Sequence, residues 1–204
     1  MPRQPRFSKD DIVAAGLRIV RASGFEAISA RALGKELGTS SSPMFTMFND
    51  MNEVMDAIHI AVEKAFTARM KGVTEYFPAF KEFGLRLVSF AKEDPNVFQM
   101  LFLGKYARPE IAEKIARECL GSVEQGYGLT SEQAEMLFRQ MWPVACGIAA
   151  LCVKHPEDFT EEEVSKTLAY HFTGIMSIIK SEKEIEDLKP QLKESRLPGD
   201  FQTD

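Results

Sequence analysis

The stretch "ALGKELGTSSSPMFTMF", residues 32–48, decides how the amino-terminal part of this chain is read. It sets four consecutive hydroxyl-bearing residues and a proline, Thr39 to Pro43, between two apolar segments, and it holds no lysine or arginine after Lys35. Leu33 and Leu37 stand one helical turn apart, as do Met44 and Phe48, so both pairs can face one core. Gly38 permits a tight turn between them. Pro43 costs little because the opening turn of a helix has no partners for its amides. The pattern predicts a helix, a tight turn and a short further helix that leaves Ser41, Ser42, Thr46 and Met47 outside. That is a helix-turn-helix with its hydroxyls facing DNA. On its own the hydroxyl run also fits a polar interhelical turn, and Met47 also fits an exposed spacer.

Working outward, the apolar spacing stays helical. From Ser8, the residues Ile12, Ala15, Ile19 and Val20 fall on one face, and Gly24 is placed to end that helix. Ser29 can cap the helix that Gly38 stops. Asn49 or Asp50 caps a fourth helix through Met55, Ile58 and Val62 towards Met70. Beyond Tyr76 the helices become longer and more aromatic. One spans Pro78 to Lys92, Asp94-Pro95 opens another as a cap and a first-turn proline, and Pro109 opens a third that ends near Gly121. Two capping boxes, Thr130 with Gln133 and Thr160 with Glu163, start long helices over about 131–154 and 161–180. The tail from Ser181 is polar and reads as frayed. No alternating run makes a strand. The expectation is an all-α chain: a three-helix helix-turn-helix head, residues 1–50, joined through a fourth helix to a larger helical ligand-binding and dimerisation body, residues 51–204.

Composition fits one large core or a small head on a larger body: 204 residues, 45% hydrophobic and 27% charged. No uninterrupted apolar run reaches the roughly 18 residues that suggest a span, and "MPRQPRFSKDD" lacks the apolar core of a signal peptide, so a cytoplasmic location is expected. The net charge of -5 is unevenly spread. Residues 1–48 carry seven basic side chains against four acidic ones, and the remainder carries 18 against 26. A basic head on an acidic body suits a protein whose head alone meets phosphate.

An enzyme reading finds no constellation. HExxH, ExxH, GxSxG and a phosphate-cradling glycine loop are all missing. Cys119, Cys146 and Cys152 lack CxxC spacing and read as buried structural thiols. His59 reads as a partly exposed helix residue, His155 as a loop residue and His171 as a core or interface residue. No cofactor or metal is implied.

Residues 11–58 resemble the DNA-binding domain of the TetR family of bacterial transcriptional regulators. The resemblance rests on an ordered set: a helix ending in Gly24-Phe25, the Ser29 cap, then Leu33, Leu37, Gly38 and Ser40, the aromatic pair Phe45 and Phe48, and a capped fourth helix. "MWPVACGIAAL", residues 141–151, is similar to a tryptophan-then-glycine pattern in some members. The resemblance implies a homodimer that binds double-stranded operator DNA and responds to a small molecule, in most cases as a repressor. With the residue pattern, the expected groove contacts are Ser41, Ser42, Thr46 and Met47, and the expected phosphate contacts are Ser29, Lys35 and Ser40. Phe45 stands where the family usually has a phosphate-touching tyrosine, and Met51 where it usually has a lysine. No basic residue lies between Glu36 and Glu63. These departures favour an alternative: a helical small-molecule-binding or protein-interaction module with weak or lost DNA binding.

The small residues Ala145, Gly147, Ala149 and Ala150, with Ala169 and Gly174, would let two late helices approach a second copy. Between head and interface lie many aromatic and methionine residues. Core packing explains most of them, but Phe83, Phe98, Phe102, Phe138, Met141 and Trp142 are the candidate wall for an apolar or aromatic effector. Pro143 is expected to kink the helix beside that wall.

Overall fold

Five of the described helices open on a side chain that accepts from a loose backbone amide of the first turn. The computed structural model describes residues 7–181 apart from Ser41, Tyr76, Phe77 and Tyr106, and of Ser42 and Pro43 it describes the backbone only. The arm bearing Arg3 and Arg6, and the tail after Ser181, lie outside the described residues.

Helix α1 (Lys9–Ser23) opens on Ser8, whose hydroxyl accepts from the Asp11 amide while the Asp11 carboxylate accepts from the Ser8 amide. It closes on Gly24 at φ 83°. Helix α2 (Ala30–Glu36) opens on Ser29, which accepts from the Ala32 amide at 3.1 Å. Helix α3 (Met51–Met70) opens on Asp50, which accepts from the Glu53 amide at 2.9 Å. At about 1.5 Å per residue α3 is roughly 30 Å long, and it belongs to both halves of the molecule. Its Ile58 lies against Gly16 of α1 so closely that a Cβ there would sit 2.2 Å from Ile58 Cδ1. Further along, its Phe66 meets Phe90 at 5.2 Å between ring centroids.

The body contains α4 (Ala79–Glu93), α5 (Pro95–Phe98) widening into a π-helical turn over Gln99–Leu103, α6 (Glu110–Glu118), α7 (Leu120–Tyr127), α8 (Ser131–Lys154) and α9 (Glu161–Ser181). Helices α4, α8 and α9 form its centre, where Phe83, Leu87, Leu137, Phe138, Ala149 and Leu168 are all buried. Both expected capping boxes are present, at Thr130 with Gln133 and at Thr160 with Glu163. No strand occurs among the described residues, and the all-α class expected from periodicity is observed.

Three features depart from the sequence reading. The helix that Pro109 opens ends at Glu118, near Gly121 as expected, but a further helix, α7, follows to Tyr127 and stops at Gly128, which holds the left-handed conformation at φ 65°. Asp94 does not cap α5 with its side chain; its carboxylate is drawn instead to Arg21 of α1 at 3.2 Å. Helix α8 runs from Ser131 to Lys154 with Pro143 inside it, on the exposed side, where water can satisfy the carbonyl left without an amide. Finally, α8 contains an 18-residue window of mean hydropathy 1.5, so by length and composition it could cross a membrane, although no uninterrupted apolar run suggested it. In this fold its apolar stripe, including Leu137, Met141, Ala145 and Cys152, is buried within the subunit.

Candidate nucleic-acid interface

The turn after α2 is built by two glycines. The Gly38 amide donates to Lys35 O at 3.1 Å and the Thr39 amide to Gly34 O at 2.8 Å, the paired bonds of a Schellman cap. Gly38 sits at φ 65°. The returning chain passes so close to α2 that a Cβ on Gly34 would lie 3.0 Å from both Thr39 O and Ser40 C. The turn and the exit direction of the next segment are therefore fixed together.

That next segment, Ser42–Thr46, is a 3₁₀ helix, not the short α-helix expected from sequence. Pro43 supplies no amide, and five residues leave little room for an α-helical ladder. Met44, fully buried, and Phe48 anchor the segment from within, and the amides of Met47 and Phe48 both return to Met44 O. Leu33 is buried and Leu37 half-buried, as the spacing predicted. Outward stand Ser40, Thr46 and Phe45, the last 49% exposed. Met47 is half-buried against the core and not fully outside. Ser29 is exposed, with its hydroxyl accepting from the Ala32 amide. Ser41 lies outside the described residues.

Charge in the head is more committed than its sum suggests. Lys9 pairs with Glu53 at 3.0 Å and lies 4.6 Å from the Phe48 ring centroid. Arg18 pairs with Glu36 at 2.5 Å. Arg31 and Lys35, one turn apart on α2, are exposed and take part in no ion pair among the described residues. Glu53 gathers the Asn49 amide at 2.8 Å, the Asn49 side-chain amide at 2.8 Å and Lys9. The Asn49 backbone bond first, then Lys9, holds its carboxyl below the usual value.

The head meets the body through α1. Besides Arg21–Asp94, the Asn96 side-chain amide donates to Arg21 O at 2.8 Å. On α3, His59 is buried, 2% exposed, and not partly exposed as expected; the Phe25 ring meets it edge-on at 5.8 Å, and Glu63 lies 3.3 Å from Nδ1. Arg108, just before α6, reaches back to Asp56 at 3.1 Å. Apart from His59 and Glu63, one turn apart on α3, sequence spacing gave no signal for these contacts because each joins residues far apart in the chain. His171, expected in the core or an interface, is exposed within the subunit.

Five of the six candidate effector residues are aromatic and form two groups, and the sixth, Met141, lies on α8. Phe98 stacks on Phe102 at 4.5 Å, beside Phe66 and Phe90. Phe138 stacks on Trp142 at 5.9 Å, with Phe83 also 5.9 Å from Trp142. Phe83, Phe98, Phe138 and Met141 are buried, while Phe102 and Trp142 are half-buried. Two open concavities lie elsewhere. One, about 500 Å³, is bounded by Lys81, Tyr127, Phe172, Met176 and Lys180; the other, about 640 Å³, lies between α3 and α6 around Ile60, Thr67, Val73 and Ile111.

Chemistry at the thiols is suppressed: burial pushes both Cys119 and Cys146 up to about 12, so both stay protonated at neutral pH. Among the described residues no three metal-ligating side chains converge.

No family model and no curated protein matches the sequence. Two solved structures share the architecture. A transcriptional regulator from Rhodococcus sp. Rha1 superimposes with a TM-score of 0.60 at 18% identity, over 84% of this chain and 97% of that one. A candidate TetR-family transcriptional regulator from Vibrio parahaemolyticus superimposes with a TM-score of 0.54 at 14% identity, over 81% and 97%. The chain therefore has a TetR-like, all-α fold.

Proposed function

We propose that this protein is a transcription regulator that binds operator DNA as a homodimer and releases it when a small apolar or aromatic effector occupies the body. The observation that carries the proposal is the geometry after α2. Two glycines fix a turn, and two buried apolar side chains fix the segment beyond it so that Ser40, Phe45 and Thr46 face solvent, while Arg31 and Lys35 on α2 are exposed and form no ion pair among the described residues. The likeness to regulator structures supports it, and such a protein would act on DNA in the cytoplasm, without catalysis.

For the dimer, the expected small residues divide. Ala145 and Ala149 are buried in the subunit's own core. Gly147 and Gly174 have open space where a side chain would stand, beside exposed Leu151 and Tyr170, so this face of α8 and α9 is the proposed contact with a second copy. Sedimentation of wild type and of Gly147→Arg tests it: the wild type should run as a dimer and the variant as a monomer.

Repression fits a body that blocks DNA access when its two heads are held at operator spacing, and effector action requires different affinities for the two spacings. The deciding experiment is a titration of upstream DNA at several salt concentrations. Binding should weaken with salt, and Lys35→Ala should reduce the slope of log K against log salt by about two for a dimer, one per head. A chain that binds no DNA at low salt is instead the small-molecule or protein-interaction module. The commitment of Lys9 and Arg18 to internal ion pairs favours that second reading.

A further inference from the structure

We infer that the head reads its operator through the 5-methyl groups of thymine, with Phe45 as the specificity-determining side chain. The inference rests on the DNA-binding reading above. Base edges in the major groove are distinguished by a small set of side chains: arginine or lysine for guanine, asparagine or glutamine for adenine, and apolar groups for the thymine methyl. From Leu37 to Phe48 the chain holds none of the first four. Asn49, the next residue, is exposed, but its side-chain amide donates to Glu53 at 2.8 Å, and its backbone amide does the same. Hydroxyls such as those of Ser40 and Thr46 pair with either acceptors or donors and discriminate weakly.

What remains outward with strong preference is the Phe45 ring. It is 49% exposed while Met44 and Phe48 on either side are buried at 0% and 4%, so the segment's own packing holds it out. A phenylalanine has no hydroxyl to offer a phosphate oxygen. Its contact energy comes from covering apolar surface, and the thymine methyl is the apolar group that the major groove displays. The predicted ligand is duplex DNA whose half-sites carry A·T pairs at the positions facing residue 45.

The test has two stages. Full-length protein is first used to select half-sites from a pool of randomised duplexes. Each selected thymine is then replaced by deoxyuridine, which removes the methyl and leaves every hydrogen-bonding group. At one or two positions per half-site the uracil duplex should bind wild type about four-fold more weakly, the ratio that burial of one methyl implies. Phe45→Ala should bind thymine and uracil duplexes equally, and Phe45→Leu should keep part of the difference. Circular dichroism checks that both variants stay folded. If Phe45→Ala weakens both duplexes by the same factor, the ring touches the sugar-phosphate backbone and the inference fails while DNA binding stands. Selection of G·C pairs with no uracil effect also overturns it. A pool from which nothing is enriched removes the regulator reading itself.

Discussion

Arg21 Nε lies 3.2 Å from Asp94 Oδ1, tying the last turn of α1 in the head to the corner between α4 and α5 in the body. Asn96 reinforces the link by donating to Arg21 O at 2.8 Å. The arginine side chain is 55% exposed, so the ion pair is worth at most about 1 kcal/mol. Its importance is positional, since both bonds join α1 to the corner between α4 and α5. Asn96→Ala should cost about 1 kcal/mol of stability. It should also raise the hydrogen exchange of α1 while the protection of α4 and α8 is unchanged. Equal loosening in all three helices would show that the link serves general stability only.

The two glycines of the turn should separate folding from DNA binding. A Cβ on Gly34 would come within 3.0 Å of backbone atoms in Thr39 and Ser40, and backbone cannot rotate aside as a side chain can. Gly34→Ala should therefore displace the 3₁₀ segment, with DNA affinity lost and overall helicity retained. Gly38→Ala meets open space but must hold φ 65°, at a cost of about 1–2 kcal/mol. Circular dichroism with an anisotropy titration distinguishes the outcomes. Unchanged DNA affinity in Gly34→Ala would mean that the segment after the turn does not touch DNA.

How much of this was legible beforehand follows from the range of the forces involved. The caps at Ser8, Ser29, Asp50, Thr130 and Thr160 and the stops at Gly24 and Gly38 are local, and the sequence displays each of them within four residues. The inward pair Met44 and Phe48 was readable for the same reason. The 3₁₀ geometry of Ser42–Thr46 was not, because it depends on how the turn packs onto Gly34. Asp94 looked like a cap until Arg21, 73 residues earlier, competed for its carboxylate. His59 looked partly exposed because its burial under Phe25 is a tertiary contact. The cations of the head could be counted from sequence, but only the fold shows that Lys9 and Arg18 are engaged by Glu53 and Glu36.

Acid should loosen the start of α3 through Glu53. Its carboxyl is held below the ordinary value of 4.5 by the Asn49 amide bonds and Lys9. A depressed folded value means stability that is fully present above the unfolded pKa and lost as pH falls through the folded one. The head should therefore weaken below about pH 4.5, and Glu53→Gln should remove that part of the pH dependence. Thermal melts of both proteins across this range, read at constant ionic strength, measure the difference. Parallel curves would place the acid sensitivity elsewhere, with Asp11 and Glu163, also lowered by their caps, as the alternatives.

Trp142 is the chain's single tryptophan, and it is half-buried between Phe138 at 5.9 Å and Phe83 at 5.9 Å. These rings are already in contact, so an aromatic effector entering this wall must part them or replace one ring as a stacking partner. Either event changes the polarity around the indole. Compounds that release DNA from the protein should thus shift or quench Trp142 emission with the same concentration dependence as release. Trp142→Phe keeps a ring in place and should retain effector response, whereas Phe83→Ala opens the wall and should change effector affinity by roughly ten-fold for a lost aromatic contact of about 1.5 kcal/mol. An effector that releases DNA while leaving emission untouched must bind elsewhere. The concavity bounded by Tyr127, Phe172 and Met176 would then be the first place to mutate.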